Sequence, residues 1–359
     1  MFNKEIIGLM SGTSLDGLDI VLAHFDCIKG QNTFELRHSL TVPYPKQLKA
    51  KIENAESLNH VDFQILNKTI GSFFGGAVNQ FIKDHNINKN NISAIASHGQ
   101  TILHQPENGF TLQIGCGSTI AYSTGINVIN DFRNLDVISG GQGAPLVPVG
   151  DFDLFQDKAD AFLNIGGFCN ISFKQNNSII AFDICPGNLP LNYFANSMGL
   201  EYDHNGIHSK KGTPDPILLE KFNSLGFYQQ KHPKSLGTEW LIENFYPLIP
   251  KNDKNENILK TISVHIAQQI ANILNENQLN SVFITGGGAK NKHLIELITN
   301  FYNGKILVPD EEIIDFKEAL IFAYLGYKYL IKETNNVPSV TGAKRALSMG
   351  VLHTPGYEM

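Results

Sequence analysis

The feature that most constrains this fold is a repeated unit of two short apolar strands joined by a glycine turn. The first copy consists of a strand at residues 5–10, a turn at 11–17 and a strand at 18–25. The second copy occupies residues 161–173, and a third strand follows at 178–183. Two copies of one supersecondary unit in a single chain predict two related domains.

The rest of the chain alternates helical and strand patterns. The predicted elements, in chain order, are a strand at 34–42, a helix at 58–85, a strand at 92–96, a helix at 258–274, a strand at 281–285 and a helix at 319–331. The predicted fold class is therefore α/β. A plain dinucleotide-binding fold is disfavoured because the fingerprint G-x-G-x-x-G is missing after the first strand.

Length and composition limit the class of protein. With 359 residues, 42% of them hydrophobic, the chain is long enough for two domains with apolar cores. Its 28 basic and 34 acidic residues are spread along the chain, so nothing favours nucleic acid or an anionic membrane as a partner. The N-terminal apolar run is too short for a signal peptide, and no stretch approaches the roughly 18 apolar residues of a membrane span. A cytoplasmic protein is expected.

The cysteines show no pairing pattern. Cys27, Cys116, Cys169 and Cys185 are scattered, without the two-residue spacing of zinc or redox motifs. We expect small core residues in a reducing compartment, with neither a disulfide framework nor a metal site.

The first glycine turn suits an anion. Backbone N–H groups in such a turn form a concave site for phosphate oxygens without cationic side chains. Asp16 and Asp19 would repel phosphate unless Mg²⁺ intervenes, so both are candidate magnesium ligands. A hairpin turn with capping residues explains the segment equally well. The candidate nucleotide-binding residues here are Gly12, Thr13, Ser14, Leu15, Asp16, Gly17, Leu18 and Asp19.

Two further glycine turns are candidates for nucleotide binding. Gly166 and Gly167 form the turn of the second repeat. Gly286, Gly287 and Gly288 lie between a predicted strand and a predicted helix, which places their amides at a helix N-terminus. A loose connection is the alternative for the triple glycine.

Two carboxylates are candidates for catalysis. Asp183 ends a strand ahead of the rigid turn at 186–188, where the scaffold fixes its direction and suits it to general-base chemistry. A turn-capping aspartate is the plainer interpretation of that residue alone. Glu318 precedes an apolar helix and either faces a ligand or simply favours the start of the helix.

Polar side chains after two further strands are candidates for substrate binding. His98, Gln100 and Thr101 follow the strand at 92–96, and Arg133 follows a strand at 128–130. Such positions in α/β folds face clefts where substrates bind. Arg133 suits a carboxylate and His98 a sugar hydroxyl, although a lone residue of either type is more often an internal partner. The glycine-dense segment 140–146 is either a hinge or a ligand contact.

The order of these motifs resembles the anhydro-N-acetylmuramic acid kinase family over nearly the whole chain. The motifs are GLMSGTSLDG at 8–17, SHGQTI at 97–102, DFR at 131–133, GGQGAPLVP at 140–148, NIGGF at 164–168, Asp183 with PGN at 186–188, KS at 234–235, GGG at 286–288, EA at 318–319 and VTGA at 340–343.

The resemblance implies two actin-like (ribonuclease H-like) domains with an active-site cleft between them, ATP in that cleft and the turn at 12–19 near its phosphates. We place the N-terminal domain at 1–133 and the C-terminal domain at 134–359. The sequence leaves open whether the terminal segment returns to the first domain. A homodimer is also implied.

The resemblance further implies an unusual reaction. The family cleaves the 1,6-anhydro bond of its sugar and phosphorylates the released O6. Asp183 would activate the attacking water and Glu318 would help to hold the sugar. His98, Gln100, Thr101 and Arg133 would contact the sugar.

Three residues depart from the family pattern. Ile184 and Cys185 stand where Thr or Cys followed by Gly is usual, and Thr238 stands where Arg is usual. These departures keep open a kinase of a different amino sugar on the same fold. A non-catalytic actin-like ATP-binding protein is the other alternative, and the carboxylates at Asp183 and Glu318 argue against it.

Overall fold

A computed structural model describes residues 3–12, 14–250 and 253–356. The chain divides into two compact units, a first unit of Met1–Phe155 with Phe316–Met359 and a second unit of Gln156–Asp315. The boundary predicted after residue 133 falls inside the first unit. The physical reason is that the next segment is tied to its neighbours there: the Gln142 N–H donates to the carbonyl oxygen of Thr341 at 2.7 Å.

Twelve strands are distributed over two sheets. They are β1 (Lys4–Ser11), β2 (Gly17–Ile28), β3 (Gln31–Pro43), β4 (Ile92–Gln105), β5 (Phe110–Ile114), β6 (Val128–Asn130), β7 (Ala161–Ile165), β8 (Phe168–Gln175), β9 (Ser178–Pro186), β10 (Ser281–Thr285), β11 (Lys305–Leu307) and β12 (Val351–His353), as found in the described residues.

Helices connect and cover the strands. The described residues contain α1 (Lys46–Glu53), α2 (His60–Asp84), α3 (Gly117–Thr124), α4 (Asn134–Ile138), α5 (Val147–Leu154), α6 (Asn188–Ser197), α7 (Ile207–Lys211), α8 (Pro216–Asn223), α9 (Thr238–Trp240), α10 (Asn255–Glu276), α11 (Lys292–Phe301), α12 (Glu311–Leu330) and α13 (Pro338–Thr341). Among the residues that the structure describes, no helix is long and apolar enough to cross a membrane.

The two sheets share one strand order. In the first unit, β1, β2 and β3 are antiparallel neighbours, and β4 and then β6 are added in parallel on the other side of β1. In the second unit, β7, β8 and β9 repeat the antiparallel part, and β10 and then β11 repeat the parallel part. The predicted α/β class with two ribonuclease H-like, actin-like folds is thereby confirmed.

The first sheet has two additions. β5 pairs with the second half of β4, and β12 pairs antiparallel with β6, so the terminal strand belongs to the first unit. Pairing with β5 extends β4 to Gln105, well past the predicted end at residue 96. The SHGQT segment therefore lies within a strand and not after one.

Each unit has its own apolar core. In the first unit, Ile7 and Ile20 of the sheet pack with Phe74 of α2, whose buried residues recur at helical spacing as predicted. In the second unit, Ile262 and Ile266 on α10 are buried against the sheet. The predicted core role of cysteine holds for the fully buried Cys169 and Cys185, whereas Cys27 and Cys116 are half-buried; all four are free thiols.

Helix α12 packs closely on the first sheet. A side chain at Gly8 on β1 would collide with the backbone oxygen of Ala319, and a Cβ at Gly326 would lie 2.6 Å from Cβ of Ala96. The helix begins at Glu311, eight residues before its predicted start at residue 319, and Ile313 and Phe316 already lie at helical spacing before Leu320. Glu318 is therefore an interior helix residue and does not start the helix.

Candidate active site

The first glycine turn joins β1 to β2. Gly12, Ser14, Leu15 and Asp16 form it, Gly17, Leu18 and Asp19 already belong to β2, and Thr13 lies outside the described residues. Leu15 has a positive φ of 56°, and its N–H donates to the carbonyl oxygen of Gly12 at 3.3 Å. The predicted strand, tight turn and strand are confirmed.

The two candidate magnesium ligands differ in environment. Asp16 is exposed on the turn, and Asp19 is half-buried on β2. Oδ1 of Asp19 accepts a hydrogen bond from Oγ1 of Thr41 at 2.6 Å. The described residues contain no group of three or more His, Cys, Asp or Glu that could hold a metal by themselves. This donor set fits a Mg²⁺ shared with phosphate oxygens, which needs only one or two carboxylates.

Gln100 is buried beside the same turn. Its Oε1 accepts from Oγ of Ser11 at 2.5 Å, and its Nε2 donates to the carbonyl oxygen of Thr101 at 3.3 Å. Ser11 has one hydroxyl hydrogen, so the hydroxyl of Tyr44 donates to Oγ of Ser11 at 2.7 Å. Leu15, Gln100 and Thr101 help to line a cavity of about 120 Å³. The structure therefore brings part of the predicted sugar-binding set next to the glycine turn.

His98 and Arg133 form a buried pair. Nε of Arg133 donates to Nε2 of His98 at 3.0 Å, and Nδ1 of His98 lies 2.8 Å from the carbonyl oxygen of Gly99. Burial, and then the Arg133 charge, lower the pKa of His98 to about 3. Burial lowers the pKa of Arg133 to about 10, opposed by Glu318. Both ring nitrogens of His98 are thus in use, so its predicted hydrogen bond to a sugar hydroxyl has no free donor.

The glycine-dense segment 140–146 is anchored to its surroundings. Gly143 has a φ of 69°, donates its N–H to Oδ2 of Asp136 at 2.8 Å and accepts from Nη1 of Arg133 at 2.8 Å. Oδ1 of Asp136 in turn accepts from Asn336 and Thr341, both at 2.8 Å. The segment therefore supports Arg133 through the carbonyl oxygen of Gly143.

Glu318 lies near the same arginine. Its side chain is half-buried, and burial raises its pKa while the charges of Lys317 and Arg133 oppose that shift. The neighbouring Lys317 is itself buried and contacts Oδ1 of Asp151 at 3.0 Å. Arg133 and Glu318 thus place one positive and one negative group in the same region of the first unit.

Asp183 lies within β9, at a bulge. The strand continues to Pro186, three residues past its predicted end, because Phe168 pairs with Pro186. The Asp183 N–H donates to the carbonyl oxygen of Lys234 at 3.1 Å, and its Oδ2 accepts from the Leu236 N–H at 2.8 Å. Burial raises the pKa of Asp183, and the bond from Leu236 opposes the shift. Within the described residues, Oδ1 has no hydrogen-bond partner.

The other two glycine turns meet in the second unit. Gly166 and Gly167 join β7 to β8, and a Cβ at Gly286, whose φ is 82°, would lie 2.8 Å from the carbonyl oxygen of Ile165. Gly288 is equally close to Ile165. The sequence predicted these glycines at the N-terminus of a helix. In the structure a short 3₁₀ turn at Gly287–Lys290 separates them from the start of α11.

Known proteins resemble this chain over nearly its whole length. The family model described as anhydro-N-acetylmuramic acid kinase matches residues 4–355. This chain belongs to that family. An anhydro-N-acetylmuramic acid kinase of Francisella tularensis subsp. novicida (strain U112) is 36% identical and covers 98% of both chains. One of Bacillus cereus (strain G9842) is 36% identical and covers 98% of this chain and 99% of its own.

A distant likeness exists among solved structures. The activator of the 2-hydroxyisocaproyl-CoA dehydratase from Clostridium difficile with bound ADPNP is 14% identical, with a TM-score of 0.46. It covers 93% of this chain and 99% of its own.

Three residues of this anhydro-N-acetylmuramic acid kinase family member depart from the usual motif. Ile184 and Cys185 are buried in the core, and Cys185 stands opposite Cys169 across the two strands. Asp183 stands opposite the exposed Asn170 instead, because the bulge separates the two pairings. Thr238 begins the short helix α9. The side chains of Ile184 and Cys185 therefore belong to the apolar core of the second unit.

Sequence reasoning missed several supporting groups. Nδ2 of Asn188 donates to the carbonyl oxygen of Ile165 at 3.2 Å. The backbone N–H of Asn188 donates to the carbonyl oxygen of Gly166 at 2.8 Å. The N–H of Leu236 and the carboxylate of Asp136 were missed as well. The only signal available was that these residues lie in or beside the motifs PGN, KS and DFR.

Proposed function

We propose that this chain uses ATP and water to open 1,6-anhydro-N-acetylmuramic acid and to phosphorylate the released O6. The products are N-acetylmuramic acid 6-phosphate and ADP, as required for peptidoglycan recycling and amino-sugar catabolism. Family membership over nearly the full length supports this activity. The observation in the structure that carries it best is the half-buried carboxylate of Asp183, held at one oxygen and without a partner at the other among the described residues.

Asp183 is the proposed general base. Its Oδ1 takes a proton from water, the water oxygen bonds to the anomeric carbon, and the bond from that carbon to O6 breaks. The released O6 then bonds to the γ-phosphorus of ATP, and the bond from phosphorus to the ADP oxygen breaks. A general base needs a pKa close to the working pH. Burial raises the pKa of Asp183 and so brings it closer to that pH.

The first unit supplies the proposed sugar-binding groups. Three N–H groups of Arg133 remain after its bonds to His98 and Gly143, and a guanidinium edge suits the carboxylate of the lactyl group. Glu318 is an acceptor for a sugar hydroxyl, and Thr101 lines the small cavity. Gln100 acts from its buried position beside the turn. His98 acts indirectly, through its hydrogen bond with Arg133.

The glycine turns are the proposed nucleotide-binding elements. The turn from Gly12 to Asp19 is assigned to the phosphates, together with Gly166, Gly167 and the glycines at 286–288. Asp16 or Asp19 would hold Mg²⁺, which neutralises phosphate charge when bound. We further propose a homodimer and a cytoplasmic location, the compartment in which this ATP-dependent recycling would occur.

A substrate panel tests the proposal. Purified protein with MgATP is offered the anhydro sugar, N-acetylmuramic acid, N-acetylglucosamine or no sugar, and ADP release is followed. We expect ADP release only with the anhydro sugar, with a 6-phosphosugar as product. Preference for an ordinary amino sugar would leave the fold intact and overturn the substrate assignment. ATP binding without sugar-dependent turnover would favour the non-catalytic alternative.

A further inference from the structure

The guanidinium of Arg133 is held at two of its three nitrogens, Nε and Nη1. Of its five N–H groups, Nε–H donates to Nε2 of His98, and one hydrogen on Nη1 donates to the carbonyl oxygen of Gly143. The other three, on Nη1 and Nη2, have no hydrogen-bond partner among the residues that the structure describes. The open edge of the guanidinium is therefore its Nη1–Nη2 end, with both hydrogens of Nη2 and one of Nη1 left, and such pairs of N–H donors bind planar anions.

The partners of His98 identify its tautomer. The carbonyl oxygen of Gly99 only accepts, so Nδ1, at 2.8 Å from it, carries the hydrogen. The Nε–H of Arg133 only donates, so Nε2 carries the lone pair. A hydrogen at Nε2 would face the arginine N–H and break the contact. His98 can therefore hold Arg133 only as the neutral Nδ1–H tautomer.

The histidine ring is fixed by its surroundings. His98 is 5% exposed, and its ring centroid lies 4.6 Å from that of Phe322 on α12. Cζ of Arg133 lies 5.9 Å from the centroid of the same phenylalanine. Gly99, whose carbonyl orients the ring, has a φ of 77°, and a Cβ there would lie 2.8 Å from the carbonyl oxygen of Ile114. The buried position and the contact with Phe322 hold the ring beside the arginine.

We propose that His98 is a positioning residue, which uses the lone pair on Nε2 to orient the guanidinium of Arg133 toward a carboxylate of the substrate. Without that bond, the guanidinium rotates about its side-chain torsions and presents its open edge only part of the time. Pre-organisation of this kind improves binding because the orientation is established before the ligand arrives. The inference rests on the proposed function, since it assigns Arg133 to the sugar.

Kinetics of His98 variants test the role. His98→Leu removes the acceptor, and we expect the KM for the anhydro sugar to rise about 10- to 100-fold with little change in the KM for ATP. That factor corresponds to the loss of one hydrogen bond to a charged group. His98→Gln places an oxygen acceptor near the position of Nε2 and should recover most of the loss. His265→Leu is the matched control: that histidine of the second unit is equally buried and also bonded at both ring nitrogens. It should reduce stability and leave the sugar KM unchanged.

A double mutant separates positioning from general structural support. Arg133→Lys cannot present the two-pronged edge, so adding His98→Leu to it should cost less than about threefold more. Full additivity, or a His98→Gln variant as impaired as His98→Leu, would overturn the proposal.

A spectroscopic measurement works without turnover. In ¹⁵N-labelled protein, the His98 ring should show the Nδ1–H tautomer and no titration between about pH 5 and pH 8. The other tautomer, or titration in that range, refutes the proposal even if the His98 variants do not fold. A correct tautomer in a protein that ignores the anhydro sugar would refute the substrate assignment instead.

Discussion

Replacement of Asp183 by Asn separates the two roles open to this residue, general base and turn cap. The amide oxygen of Asn still accepts from the Leu236 N–H, and the backbone bond to Lys234 is unchanged. The variant should therefore fold. It loses only the ability to take a proton, which for a general base is worth about 10²- to 10⁴-fold in rate, or roughly 3–5 kcal/mol of activation free energy.

The assay is initial-rate ADP release with saturating MgATP and the anhydro sugar. We expect kcat to fall by about 10²- to 10⁴-fold, while the KM for ATP stays within about twofold. Asp215→Asn is the control, because Asp215 in the same unit is a cap whose Oδ1 accepts from the N–H groups of Ile217 and Leu218. It should keep full activity, since Asn caps a helix as well as Asp does.

The pH profile of the activity provides a second test of Asp183 as the general base. Burial raises the pKa of Asp183, and the base works only when ionised. Activity should therefore fall with decreasing pH at a value above the ordinary range for aspartate. Wild-type kcat in Asp183→Asn, with Asp215→Asn equally active, would reduce Asp183 to a cap and refute the mechanism.

Three further predictions concern stability and nucleotide binding. Asp183→Asn should raise Tm relative to wild type at about pH 8, and the difference in Tm should vanish at low pH. The reason is that a carboxyl whose pKa is raised in the folded state stabilises the fold only while protonated, so its contribution is lost as pH rises. An equal difference in Tm at both pH values contradicts this. Gly286→Ala should raise the KM for ATP. It should also lower the free energy of unfolding by about 1–3 kcal/mol, because the φ of 82° and ψ of 165° at this position are essentially restricted to glycine, and the contact with Ile165 adds to the loss. Urea unfolding measures the loss, and unchanged values contradict the tight turn. Lys317→Met should lower the free energy of unfolding by about 3–5 kcal/mol, because it removes one partner of a buried ion pair, and a loss below about 1 kcal/mol would show that the pair is not buried in solution.

The duplicated fold was predictable from local pattern. Strand, glycine turn and strand occur twice in the sequence, and the structure shows the same strand order in both units. Element ends were less predictable, because they depend on pairing with distant residues. β4 continues to Gln105 because β5 pairs with it. The start of α12 at Glu311 is a different case, since Ile313 and Phe316 precede Leu320 at helical spacing and the sequence did carry that signal.

Site residues were predictable by type and less so by partner. Asp183 and Arg133 became candidates because charged residues beside apolar strands are easily recognised in a sequence. The sequence does not show that both ring nitrogens of His98 bond to other groups of the protein, or that the Leu236 N–H donates to Asp183. Those partners are brought together by the fold, as is the support of Arg133 by Gly143, ten residues further along the chain.

The origin of the new anomeric oxygen tests the central claim most directly. Protein, MgATP and the anhydro sugar are mixed in H₂¹⁸O, and the sugar phosphate is analysed by mass spectrometry within a single turnover. We predict one ¹⁸O in the sugar at the anomeric position and none in the phosphate group. Unlabelled sugar phosphate, or label in the phosphate group, would show that water does not attack the anomeric carbon and would contradict the account.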